Sequence, residues 1–524
     1  MATTANLRSR RSAAQLHALE GVEREIRAQD PSSRRKYLRE FGEAFRAYDT
    51  ILDREQVRDA LSVAEIILIG DYHALATCQR YAASVIEQLA LMGRPVVLGV
   101  ETIFARDQHI LDEWWRREID ESELRQRIRF DLDWGYEWAP FYELLVAARD
   151  HADALYGLDC MPREDLRKIG ARDRHAAAKL AEIRDRHSNA VVVVLFGESH
   201  LAPTHLPRAV REELPGTKLL TLLQNVDTLY WQAAGERREK VEAVRVTDDV
   251  LCVFNATPLE KYESYRLFLD RWGHFDGNPD FAPTFYNLIN SLAAFLEMNR
   301  HSPHNGTQPR YLVDLLPEVY SHSSDSTFSR LLLRQGPGQR ECESVLQRIE
   351  DCGSTYVPQI NALYVREFQM ASAAEDAARF LHQACQGLPL RKEGHASGGP
   401  IARGSGSSDR FYMRVIEHAV AYFGSSVLCP SRASDLDAEG IVLSRAACEK
   451  AAQAALRGDR NKFESIARAW GDRIGSQIYE SYLSGRVKKS GLRRLFLAHL
   501  DEPGLARKVC IAVMAKLRSA AKFS

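Results

Sequence analysis

Two G-x-x-H tetrads, Gly70-Asp71-Tyr72-His73 and Gly197-Glu198-Ser199-His200, each place an acid directly after the glycine. Between them, Gly99-Val100-Glu101 and Gly157-Leu158-Asp159 repeat a glycine followed within two residues by a carboxylate. Imidazole is a base or metal ligand near neutral pH, and glycine lets backbone approach a ligand closely. His73 and His200 with Asp71, Glu101 and Glu198 have two uses. They can hold a divalent metal by mixed nitrogen and oxygen ligation, with His73, His200 and Glu101 as ligands, or they can position a water for general-base attack without metal. Asp173, after Arg172, reaches the same place from a helix start or simply caps that helix. Capping is the competing account of the acids in general; it covers one or two of them and neither histidine. Other chemistries lack their residues. Ser199 stands in Gly-Glu-Ser-His rather than G-x-S-x-G, Cys78 and Cys160 show no partner, and no G-x-x-x-x-G-K-[ST] occurs.

Something must bring these groups together. Apolar runs at 66–69, 96–100, 154–158 and 190–196 end at the four acids, and runs at 218–223 and 250–254 continue the series. Longer helical stretches separate them, the texture of β-α units around a parallel sheet. In such a sheet the carboxyl ends of the strands share one edge, where ligands bind. The spacing therefore predicts that the side chains of Asp71, His73, Glu101, Glu198 and His200 converge in one cleft at that edge. The expected fold is α/β, a mainly parallel sheet flanked by helices, with N-terminal helices and a mostly helical C-terminal region. The expected divisions are a helical segment over 1–60, the α/β domain over 61–260, a helical region over 261–386, a loop or linker over 387–409 and a helical region over 410–524. The linker has six glycines and four serines, and no β run is visible beyond about residue 262.

Composition narrows the function classes. The chain has 524 residues, 45% apolar and 27% charged, enough for two or three cores. Its net charge of -1 provides no global field for nucleic acid or anionic lipid. From Arg486 onward ten Lys/Arg face two acids, a local +8 that reads as a solvated basic helix rather than a nucleic-acid contact. No apolar window is long enough for a membrane span, and the arginine-rich start lacks the apolar core of a signal peptide. That acid-free opening also suits a transit peptide, but a solvated end is the simpler account. Nine cysteines without a C-x-x-C pair point to free thiols and a cytoplasmic setting. Trp114-Trp115 and the Trp134 to Trp138 cluster are either core or the floor of a flat ligand site. The His301-Ser-Pro-His304 pair reads as a loop. Association into an oligomer is left open.

Residues 62–225 carry the four strand-end motifs, Gln108, the stretch Trp134-Gly135-Tyr136-Glu137-Trp138-Ala139-Pro140 and Arg172-Asp173. This run, about a third of the chain, resembles the ChaN-like haem-binding proteins. The resemblance places it in a superfamily shared with erythromycin esterases and Tiki/TraB proteins. Where that family usually has Gly-Glu-x-His, Asp71 here is one methylene shorter. The resemblance implies haem or iron binding for the ChaN branch. For the esterase branch it implies a general base at the first tetrad's histidine, and for the Tiki branch a metal site at the tetrad and a glutamate. Carried over, His73 is the base or ligand, Asp71 and Glu101 are its carboxylate partners, and Glu198 with His200 forms a second cluster. Tyr72, Tyr136 and Tyr142 at the rim are the candidate haem ligands. The leading expectation is a ChaN-like haem- or iron-binding protein with a His/carboxylate cleft. The alternatives are a hydrolase using that cleft, with or without metal, and a non-catalytic scaffold for the helical half. The expected cofactor is haem or a divalent metal ion, and the partner a haem or small-molecule ligand. ChaN lipoproteins are exported and lipid-anchored; this sequence shows neither signal nor lipobox cysteine, which again argues for the cytoplasm.

Overall fold

The computed structural model describes residues 4–30, 36–160, 169–236, 240–273, 278–298, 315–321, 325–335, 339–386, 407–430, 440–498, 500 and 502–521. The chain forms two compact units, Glu23–Gly277 and Met1–Val22 with Asn278–Ser524.

In the first unit the six apolar runs all become strands of an eight-stranded sheet. The strands are β1 (Thr50–Leu52), β2 (Ile66–Asp71), β3 (Val96–Phe104), β4 (Ala154–Asp159), β5 (Val191–Gly197), β6 (Leu219–Gln224), β7 (Ala243–Thr247) and β8 (Val250–Val253). Their order is β1-β7-β8-β6-β2-β5-β3-β4. The neighbours from β8 to β4 pair in parallel, whereas β1 with β7 and β7 with β8 pair antiparallel. Both faces are covered, which is why the central strands read as continuous apolar runs. Ile67, Ile69, Val193 and Leu195 enter one core, and Ile66, Leu68, Val192 and Val194 the other. Each such buried side chain contributes roughly 1.5–3 kcal/mol. The chain leaves β2 on one side toward β3 and reaches β6 and β8 on the other, so the order reverses at β2. A crevice opens outside the carboxyl ends of the strands at such a point.

The second unit is mostly helical, but three short strands escape the sequence reading: β9 (Glu318–Tyr320), β10 (Ser354–Val357) and β11 (Ala362–Val365), ordered β10-β11-β9. Three or four residues are too few to show a period of two. Its long helices Ser407–Leu428 and Arg460–Leu483 pack closely, because a Cβ on Gly475 would stand 2.7 Å from the Ala419 carbonyl oxygen. Residues 387–406 of the expected linker, and the His301 to His304 pair, lie outside the described residues. All nine cysteines are free, and no described helix is long and apolar enough to cross a membrane.

Candidate functional site

Glu101, inside β3 and 3% exposed, is the hub of a buried polar cluster. One oxygen accepts the backbone N–H of Gly197 at the end of β5, and the other accepts from Arg172 Nη2. Arg172 stands in the first turn of the helix Ile169–Arg186 and also forks Asp159 at the end of β4, with Nε 3.0 Å and Nη2 2.7 Å from its two oxygens. One guanidinium thus joins the ends of β3 and β4. Burial opposes the ionisation of Glu101, but Arg172 first, then His73, His200 and the Gly197 amide, hold its carboxyl down to about 2. Arg172 is correspondingly raised: burial disfavours its charge, and Glu101 and Asp159 more than restore it.

Two histidines face this carboxylate. His73 Nε2 lies 3.7 Å from one Glu101 oxygen and His200 Nε2 3.8 Å from the other. Each ring is held from behind by an aspartate. His73 Nδ1 is 2.7 Å from Asp71, whose second oxygen accepts from Gln79. His200 Nδ1 is 2.5 Å from Asp173, whose second oxygen is 3.3 Å from His205 Nδ1. Asp173 therefore reaches the cluster and is not merely a helix cap. Gly197 is required by this packing, since a Cβ there would stand 3.0 Å from Glu101 Oε2 and 3.2 Å from His73 Nε2. Asp71, Glu101, Asp159, Asp173 and His200 are all buried, and the His73 side chain, 14% exposed, is the group that opens outward.

Around His73 stands an aromatic collar. Trp134 and Tyr136 have ring centroids 5.2 Å from the imidazole, and Tyr136 stacks on Phe268 at 4.3 Å. Beyond Tyr136 lies a cavity of about 650 Å³ with Trp138 and Trp272 in its walls and Arg125 and Arg271 beside them. Gly135, at φ +65°, lets the Trp272 ring lie against the backbone. Tyr142 is elsewhere, stacked on Trp138 at 5.6 Å and edge-on to Trp114 at 5.9 Å in the helix wall, and does not line the cavity. Tyr72 packs on Tyr265 and under the Lys261 ammonium, 4.8 Å from its ring.

Two expectations need correction. Glu198 does not join His200. In the short helical turn Glu198–Leu201 residues two apart point different ways, and Glu198 instead pairs with Lys261 at 3.0 Å. Lys261 also donates to the Asn225 carbonyl (3.2 Å) and approaches Asp227 at 3.9 Å. Burial pushes the Glu198 carboxyl up, against the pull of Lys261; the Lys261 ammonium is itself raised, because Glu198 and Asp227 outweigh burial. Lys261 comes from the helix Pro258–Gly273, beyond the last strand, where no strand-end signal points. The expected metal site of His73, His200 and Glu101 is not formed either. Among the described residues no group of three His, Cys, Asp or Glu is placed to hold a metal, and the Arg172 guanidinium occupies the cation's position against Glu101.

This geometry can be set beside known proteins. The domain matches the family model for haem-binding uptake, Tiki superfamily, ChaN. The ChaN match runs over residues 57–192 and so takes in Asp71, His73, Glu101, Tyr136, Asp159, Arg172 and Asp173, while Glu198 and His200 fall beyond it. A solved structure titled for cofacial haem binding to ChaN of Campylobacter jejuni is similar at 14% identity, covering 38% of this chain and 91% of that one with a TM-score of 0.28. No curated protein matches the sequence.

Proposed function

We propose that the unit Glu23–Gly277 binds haem in the aromatic cavity beside His73. The reading rests on one observation: Tyr136 lines that cavity and also packs against His73, the outward-opening member of the buried cluster. The residues fit the group. A volume of about 650 Å³ lies within the range of ligand pockets, Trp272 offers a flat exposed face, and Arg271 suits a carboxylate, whereas Arg125 is already paired with Asp131. Tyr136 supplies a phenol oxygen for iron. Haem bound there brings a redox-active iron centre. Asp71 and Glu101 hold the His73 ring, which in turn backs Tyr136. The match of residues 57–192 to a haem-binding family supports the same reading.

A second reading has its own observation. Asp71 anchors His73 Nδ1, and among the described residues Nε2 approaches only Glu101, at 3.7 Å, the arrangement of a carboxylate-oriented general base. A haem titration of the full chain, followed by absorbance, separates the two. Haem binding predicts a saturable Soret shift with tyrosinate features that Tyr136→Phe removes. A hydrolase predicts ester or peptide turnover that falls roughly 10²–10⁴-fold in His73→Ala, with no specific haem signal. A wild-type protein that shows neither rejects both and leaves the scaffold reading.

A further inference from the structure

The unit Met1–Val22 with Asn278–Ser524 holds a polar cavity of about 910 Å³, built from β10 and the helices Gln339–Cys352, Met370–Gln386, Ser407–Leu428 and Arg460–Leu483. Its charges are unevenly matched. Arg414 is saturated by Glu417 at 2.6 Å and Glu464 at 2.9 Å. Arg348 and Arg379, by contrast, lean on the same oxygen of Glu375. Asp376, next in sequence, already accepts from Ser354 Oγ at 2.7 Å and the Tyr356 amide at 3.1 Å. Arg468 reaches the Cys352 sulfur at 3.7 Å and Asp472 only at 3.8 Å.

Two donors on this wall have no acceptor. Arg348 Nε and His418 Nε2 are buried and make no hydrogen bond among the described residues. His418 is 3% exposed, and its Nδ1 faces the Arg379 guanidinium at 3.1 Å; since arginine only donates, Nδ1 is the acceptor and the ring proton sits on Nε2. Glu464 stands 3.8 Å from that Nε2, beyond hydrogen-bond reach. Burial, then Arg379, lowers Arg348 to about 10, against the opposing pull of Glu375 and Asp376. Buried donors are rarely left unpaired without a ligand or ordered water to meet them.

We infer that this cavity binds a phosphate group, free or carried by a small organic molecule, whose oxygens accept from Arg348 Nε and His418 Nε2 beside the Arg379 guanidinium. A dianion would add counter-charge beside the two guanidiniums that share one Glu375 oxygen, and its oxygens suit charge-assisted hydrogen bonds from arginine. Several acids on the wall are already engaged: Glu417 and Glu464 by Arg414, Asp351 by the Gln347 side-chain amide at 3.2 Å, and Asp459 by the Lys462 backbone amide at 2.8 Å.

The test is calorimetric titration of the full-length protein with inorganic phosphate, then with glycerol 3-phosphate, and with glycerol as the neutral control. One saturable phosphate site per chain is expected, with no response to glycerol. Tighter binding of the ester identifies an organic phosphate as the occupant, and equal binding the free ion. Arg348→Gln and, separately, His418→Gln should each weaken phosphate about tenfold or more, with the circular dichroism spectrum checking their fold. No phosphate binding by the wild type, or undiminished binding by whichever of the two variants keeps its fold, overturns the inference.

Discussion

The cluster around Glu101 and the wall around Arg348 and His418 use the same residue types and end in opposite conditions. At Glu101, one arginine, two histidines and three aspartates are tied by short contacts, and four strands, β2 to β5, hold them in place. In the helical unit, two arginines share one carboxylate oxygen and two buried donors make no hydrogen bond among the described residues. Neighbouring strands in register bring carboxylates and N–H groups to the same height, so partners arrive in matched sets. Crossing helices bring side chains from distant turns to one place, and charges accumulate there without matching. A polar group is therefore weak grounds for a site until its partners are counted.

Four measurements put this contrast to the test. Arg172→Met should have the largest effect, because it leaves Glu101 and Asp159 buried without their cation; a loss of about 3–5 kcal/mol in urea unfolding is expected. A loss under about 1 kcal/mol would show that the cluster is not held by Arg172. Acid should act on both regions, through Glu101 in one and through His418 and the lowered Glu464 carboxyl in the other. His418, lowered from 6.5 to about 3 by burial, stays neutral in the folded protein while the unfolded chain takes up a proton. Its contribution is fully present above about pH 6.5 and is lost as pH falls toward about 3, at up to about 1.4 kcal/mol per pH unit. Glu101, held at about 2 against an ordinary 4.5, loses its contribution only between those values, up to about 3 kcal/mol in all. Stability measured against pH should therefore fall in two stages, and His418→Gln should remove the earlier one. Next, Gly197→Ala should cost about 1–3 kcal/mol by pushing a methyl against Glu101 and His73, read as a lower unfolding midpoint. Smallest is Tyr142→Phe, expected to change haem affinity and stability by less than about 0.5 kcal/mol, because that ring packs outside the cavity.

The strands were legible where the chain is buried on both faces. Runs such as Ile66–Asp71 and Val191–Gly197 are unbroken apolar segments ending in glycine and an acid. The antiparallel edge was not: β1 has three residues with one buried, and β7 carries Arg245 and leaves its end exposed. In the site, the strand-end motifs led to Asp71, His73, Glu101 and His200, and Arg172-Asp173 stood out only as a pair. That Arg172 binds Glu101 and Asp159 across three elements has no sequence spacing to announce it. Glu198 was misplaced because a position at a strand end does not set side-chain direction: the turn after β5 sends Glu198 to Lys261 and His200 to Asp173. The wall of the helical unit was invisible, since its groups are scattered from Arg348 to Arg468 without a repeat or motif.

Trp272 lies over Gly135 with 57% of its surface in solvent, while Trp114 and Trp134 are sealed in the core. The seven tryptophans of the chain are therefore not equivalent emitters. The Trp272 indole, wet and on the cavity wall, should emit at the red edge of the fluorescence spectrum, and the sealed pair toward the blue. A chromophore entering the cavity would extinguish the red edge first, so the protein carries its own optical gauge of occupancy.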